Sequence, residues 1–193
     1  DWGRDCICAS GQDNLCGHRF DRQDGELPRG YDHKYVYSHF GYNLKVTDMQ
    51  AAVGVAQLKK LPSFVERRRH NFACLRAALA DMEEFFILPE ATEHAHPSWF
   101  GFLLTCRKGI DRTKIVRYIE EHRIQTRMLF AGNLTKHPCF DEMRRTGEGY
   151  RIAGTLDTTD RIMNDTFWLG VYPGLTDEKI DYMAESVRRA VRD

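Results

Sequence analysis

A chain of 193 residues can bury one hydrophobic core, or one core and a small part of another. Its 28 Lys and Arg balance its 28 Asp and Glu, so the composition gives no sign of a nucleic-acid footprint, which needs a basic face. The apolar runs are far shorter than a membrane span, and Asp1-Trp-Gly-Arg-Asp5 does not resemble a secretory leader. A cytoplasmic setting is expected, with no nucleic acid and no membrane among the partners. The chain lacks an initiator Met and reads as the rear part of a longer protein.

Residues 1–30 show little periodicity and are dominated by Gly, Asp, Cys and Arg. They read as a loop held by something other than a core, closed by Pro28-Arg-Gly30. Aromatic and polar residues then crowd together from Tyr37 to Asn43, a natural place to meet a ligand just before a helix. Thr47 with Gln50 forms a capping-box pattern. The helix it opens carries Met49, Val53, Ala56, Gln57 and Leu58, with its small residues expected on a buried side. Pro62 suits a first helical turn. From there an amphipathic helix is expected to reach about Met82, with Phe64, Val65, Phe72, Leu75 and Leu79 inward and Arg67, Arg68, Arg69 and Arg76 solvated.

Glu83 to Pro89 reads as a linker and 91–97 as a loop. Trp99 to Cys106 reads as a strand. Asp111 caps a helix containing Ile115, Val116 and Ile119. Ile124 to Met128 makes a second strand, followed by a polar loop through Gly132 to Pro138 and a short helix near Phe140–Arg144. A helical turn over Thr158–Asn164 precedes a strand over Phe167–Val171 and a turn at Pro173-Gly174. Thr176 then caps a last helix with Ile180, Met183, Val187 and Val191 inward. Strands interleaved with helices predict an α/β chain with an α+β small domain, its small sheet covered by helices on one face.

Of the six cysteines, Cys6, Cys8 and Cys16 carry the sharpest chemical signal. Three thiols within eleven residues on a coreless loop can converge on one metal. Thiolates suit either an iron–sulfur cluster, which wants four cysteines, or zinc, for which His18 offers a fourth ligand. Inert thiols are the alternative. Cys74, Cys106 and Cys139 are read as ordinary free thiols, and His94, His96 and His137 as surface histidines. Trp99 and Trp168 are read as core rather than as a substrate platform.

Several stretches carry a resemblance. Gly41-Tyr-Asn-Leu-Lys-Val-Thr-Asp-Met-Gln-Ala-Ala52, with Gln57-Leu58 and Arg67-Arg68-Arg69, resembles the signature of the fold type I sugar aminotransferases and dehydratases that use pyridoxal phosphate. So do Pro97-Ser-Trp-Phe-Gly-Phe102, Gln125-Thr-Arg-Met-Leu-Phe-Ala-Gly-Asn133, Asp160-Arg-Ile-Met-Asn164 and Tyr172-Pro-Gly-Leu-Thr176. Together with the cysteine run and Gly25-Glu-Leu-Pro-Arg-Gly-Tyr-Asp-His-Lys-Tyr35, they are similar to the iron–sulfur 3-dehydrases that act on CDP-4-keto-6-deoxyglucose in lipopolysaccharide biosynthesis.

That resemblance implies a C-terminal part of such an enzyme. Residues 1–45 would end a large domain and include the cysteine-rich loop, 46–88 would be connecting helices, and 89–193 a small α+β domain. It implies pyridoxamine 5′-phosphate, bound without a covalent link, and a [2Fe–2S] cluster on Cys6, Cys8 and Cys16. The fourth cysteine and a catalytic base histidine are expected upstream, with no catalytic residue in this chain. Asn43 and Lys45 are implied as cofactor-binding residues, and Tyr37, His39, Arg127 and Asn133 as substrate-binding residues. Implied partners are a nucleotide sugar, a second copy in a homodimer, and an NADPH-dependent flavin reductase that feeds the cluster. The reaction implied is loss of the C3 hydroxyl of a 4-keto sugar, and the piece alone is expected to be inactive. The competing expectation is a pyridoxal-phosphate sugar aminotransferase with a structural zinc loop.

Overall fold

The computed structural model describes residues 17–42, 44 and 46–192. The chain divides into two compact units, Asp1–Lys59 and Lys60–Asp193.

Among its described residues, the first unit is tied together by polar bonds. Arg19 donates to the Asp32 carboxylate through both Nε (3.1 Å) and a terminal nitrogen (2.7 Å). Asp32 in turn caps a 3₁₀ turn, His33–Tyr35, by accepting from the Lys34 amide. The guanidinium beside it holds the Asp32 carboxyl below its ordinary range. Among the described residues of this unit, His33 and Val36 are buried. Gly30 bends back with φ +78°, and a side chain there would press on the Phe20 carbonyl.

Helix α1 (Asp48–Leu58) begins as expected. Gln50 N donates to Thr47 Oγ1 at 3.3 Å, and Thr47 N donates to Gln50 Oε1 at 2.8 Å. The expected buried side is absent: none of its residues is buried, and Met49 is 80% exposed. An apolar helix is normally covered, and nothing among the described residues covers this one.

The second unit is a four-stranded antiparallel sheet with helices on one face. Its order is β1 (Phe86–Ile87), β2 (Gly101–Cys106), β4 (Thr166–Gly170), β3 (Thr126–Met128). Alternation along the strands decides the faces. Phe102, Leu104, Phe167 and Leu169 point to the core and are fully buried, in the register Phe102↔Leu169 and Leu104↔Phe167. The core is closed by Leu75 and Leu79 at the end of α2 (Leu61–Ala78), by Ile115 and Ile119 of α3 (Arg112–Glu121), and by Ile180, Met183, Ala184 and Val187 of α6 (Asp177–Arg192). Two shorter helices, α4 (Asp141–Thr146) and α5 (Asp157–Asp165), complete the unit.

Three expected boundaries move. The segment read as a linker contains β1, whose Phe86 is wholly buried and pairs with Cys106. Strand β2 starts at Gly101 because Trp99 leaves the ladder to lie 4.6 Å from the Phe72 ring. Strand β3 starts at Thr126 because Arg123 and Ile124 are spent closing α3: their amides bond the Glu120 and Ile119 carbonyls. The arginines of α2 are also more than a solvated face. Arg67 donates to Leu175 O, Arg69 to His96 O and Pro97 O, and Arg76 pairs with Glu83 at 2.7 Å. They tie the helix to three separate loops.

Candidate functional site

Cys6, Cys8, Cys16, Asn43 and Lys45 lie outside the described residues. Tyr37 and His39 belong to the first unit and are both exposed, with His39 Nδ1 3.0 Å from Ser38 Oγ. Arg127 and Asn133 belong to the second unit, where they have quite different settings.

Arg127 sits on β3 directly across from Trp168, on the sheet face opposite the core. Its neighbours on that face are Leu103 and Trp168, both partly buried. Trp168 is fixed in place. Its Nε1 donates to Met128 O at 3.1 Å, Phe100 meets it edge-on at 5.4 Å, and its ring lies where a side chain at Gly101 would be, 2.7 Å from the Cβ position. Gly101 is therefore required for this close approach, and the exposed Arg127 is the cross-strand partner of this fixed indole. The same setting shows Trp168 as a partly buried residue on the face opposite the core.

Asn133 is 2% exposed, and both ends of its amide are hydrogen-bonded. Its Oδ1 accepts from Thr135 N (3.1 Å) and Thr135 Oγ1 (2.7 Å), capping a 3₁₀ turn, Leu134–Lys136. Its Nδ2 donates to Asp160 Oδ1 at 2.7 Å, while Lys136 Nζ donates to Asp160 Oδ2 at 2.7 Å. Lys136 first, then Asn133, holds the Asp160 carboxyl below its ordinary range. Gly132, at φ +61°, lies against Met163 so closely that no side chain fits. His137 bonds Ala131 O, and Arg144 ties down the carbonyls of Thr135 and His137. Through these bonds the asparagine acts structurally, shaping the loop 129–137.

The loop presents Phe130, which sequence reasoning passed over. Phe130 adopts φ +49° and is 78% exposed. A non-glycine residue in that conformation stores strain, and such strain gathers at functional sites. A bulky side chain with an unfavourable backbone leaves no trace in hydropathy, so only the structure reveals it.

A second junction joins other distant stretches. Asn71 on α2 is completely buried, and its Nδ2 donates to Tyr172 O at 2.8 Å, the start of the Tyr172–Thr176 turn. Arg67 reaches the Leu175 carbonyl of the same turn.

The described thiols, Cys74, Cys106 and Cys139, are free. Burial pushes the Cys106 thiol up to about 12, which removes it from thiolate chemistry at neutral pH. Cys74 is partly buried and Cys139 exposed. Among the described residues no group of three or more His, Cys, Asp or Glu is placed to hold a metal, and no helix is long and apolar enough to cross a membrane.

With this geometry in place, the relationships of the chain are clear. Residues 22–188 match the DegT/DnrJ/EryC1/StrS aminotransferase family, and the chain belongs to it. It is 56% identical over 185 residues to the lipopolysaccharide biosynthesis protein RfbH of Salmonella typhimurium, a match that covers 95% of this chain and 41% of that protein. It is 49% identical over 193 residues to a dTDP-4-dehydro-2,6-dideoxy-D-glucose 3-dehydratase of Saccharopolyspora spinosa, covering 99% of this chain and 40% of that protein. Among solved structures, an E. coli GDP-4-keto-6-deoxy-D-mannose-3-dehydratase with bound hydrated PLP superposes with a TM-score of 0.68 at 24% identity, over 80% of this chain and 39% of that one. The chain thus spans about 40% of the length of the relatives it matches, and its small antiparallel sheet and helices are part of an aminotransferase-like, pyridoxal-phosphate fold.

Proposed function

We propose that this chain is the C-terminal part of a nucleotide-sugar 3-dehydrase that removes the C3 hydroxyl of CDP-4-keto-6-deoxyglucose in the making of 3,6-dideoxysugars for lipopolysaccharide. The observation that carries the reading is identity of 49% across 99% of the chain to a protein named as a sugar 3-dehydratase. The 56% identity to a lipopolysaccharide biosynthesis protein points the same way.

In this reading Cys6, Cys8 and Cys16 supply three of the four thiolates of a [2Fe–2S] cluster. Three soft donors within eleven residues fit that group and fall one ligand short of completing it. Asn43 and Lys45 reach the phosphate of a pyridoxamine 5′-phosphate cofactor, and the cofactor supplies the electron sink that lets a C–O bond beside a ketone break. Tyr37, His39 and Arg127 face the nucleotide sugar. Arg127, an exposed fork-shaped cation beside a fixed indole, suits a phosphate of the nucleotide. Asn133 acts by shaping the loop that carries Phe130 to the same neighbourhood of β3. The working form is a homodimer served by an NADPH-dependent flavin reductase.

The test is anaerobic purification of the full-length protein, followed by assay for iron and acid-labile sulfide and for turnover with the keto sugar and a reductase. Iron, sulfide and a product lacking oxygen at C3 are expected. A protein that instead binds zinc and transfers an amino group from glutamate to the keto sugar overturns the reading and establishes the aminotransferase. Residues 1–193 alone are expected to show no turnover.

A further inference from the structure

A cavity of about 660 Å³ opens between the closing turn of α3 and the first two turns of α6. It lies at the Gln125 and Gly170 end of the β3–β4 ladder, whereas loop 129–137 leaves from the other end. Its size is that of a site for a small organic molecule, roughly 300–1,000 Å³.

The lining has a definite chemical character. Tyr172 and Tyr182 offer half-exposed rings, at 50% and 51%, and Leu175 and Met183 add apolar surface. Tyr182 is oriented by its hydroxyl, which donates to His122 O at 3.1 Å. Arg123 and Lys179 bring two positive charges, and none of the lining residues is acidic. Neither cation is paired with a carboxylate among the described residues. Asp177 and Glu178 precede Lys179 on α6 but do not line the cavity.

A second observation concerns the backbone of Arg123 and is independent of the cavity. Its amide bonds Glu120 O and the next amide, of Ile124, bonds Ile119 O, which is the hydrogen-bond pattern of a Schellman closure of α3. The residue at that point must be left-handed, and Arg123 has φ +62°. Glycine fills this position without strain and is the common choice. Here the chain holds a long cation in a conformation that disfavours it, and that cation lines the cavity. Strained backbone of this kind points from an outlier to a function for its side chain.

We propose that the cavity binds a small organic anion built on a flat ring, with Arg123 and Lys179 receiving its phosphate or carboxylate and Tyr172 and Tyr182 its ring. Arginine next to aromatic side chains suits both halves of such a molecule.

Calorimetric titration of the full-length protein tests this with four probes: phenyl phosphate, benzoate, inorganic phosphate and benzyl alcohol. One or both ring anions are expected to bind saturably, with inorganic phosphate and the neutral ring weaker by about tenfold or more. Preference for phenyl phosphate assigns the site to phosphorylated rings, and preference for benzoate to aromatic carboxylates. Arg123→Gly is the diagnostic variant. It is expected to melt at the same temperature as the parent or higher, because glycine relieves the strained turn, and yet to bind the ring anion about tenfold more weakly. Lys179→Gln should weaken binding in the same direction. Failure of both ring anions to saturate, or unchanged affinity in Arg123→Gly, overturns the proposal. The readout is binding without turnover, so its failure is separable from failure of the deoxygenation reading.

Discussion

Asp160 joins parts of the chain that are 24 and 27 residues apart, accepting from Lys136 and from Asn133. Both donors favour its charged form, so its folded-state pKa lies below the ordinary aspartate value of 3.8. As pH falls, the unfolded chain takes up this proton before the folded one does, so the bond's contribution is complete above the ordinary value and is lost as pH falls through the folded-state value. Asp160→Asn is therefore expected to lower the melting temperature at pH 7, with the gap to the parent closing below about pH 4. A gap that persists unchanged into acid would show that the carboxylate charge is not what holds the loop. Because the pair is partly open to solvent, added salt should narrow the gap as well.

At the scale of elements, α1 and α2 follow each other directly yet differ in kind. Helix α2 is anchored through Leu75, Leu79 and Asn71 and through arginines bonded to loop carbonyls. Helix α1 has a complete capping box and no buried residue. Capping contributes about 1 kcal/mol, which is too little to sustain eleven residues alone, since most helix stability comes from packing an apolar face. The homodimer proposed above is expected to provide such packing. Met49→Lys combined with Val53→Glu in the full-length protein is expected to shift sedimentation toward the monomer. If the dimer survives both charges, α1 is not part of its interface.

Taken as a whole molecule, the described core belongs to the second unit, with strands and three helices sharing one set of contacts. Residues 60–193 expressed alone are expected to unfold in a single cooperative step, and Phe102→Ala to lower that stability by about 3–5 kcal/mol. A broad, non-cooperative transition would mean that this unit relies on the rest of the protein. Most of this unit was legible in the sequence, because apolar spacing reports directly on which side chains leave water: α3, α6, β2 and β4 follow from it, as does the capping of α3 by Asp111, with amides 2.8 and 3.1 Å from the carboxylate. Strand β1 was not legible, since two residues carry no period. Neither were the turn-capping bonds of Asn133, because an amide that caps a turn and one that meets a substrate look the same in a sequence. The family motifs proved to be contacts with one another: Asn133 with Asp160, Gly132 with Met163, and Arg67 with the Tyr172–Thr176 turn. The first two of these contacts hold the loop that follows β3, and the third ties α2 to the turn before α6.

The bareness of α1 has a practical side. Residues 1–193 without a second copy to cover α1, displaying Met49, Val53, Val55 and Leu58 to water, should cling to a phenyl chromatography resin in ammonium sulfate, more tightly than their even charge balance would suggest, and should clump as they are concentrated.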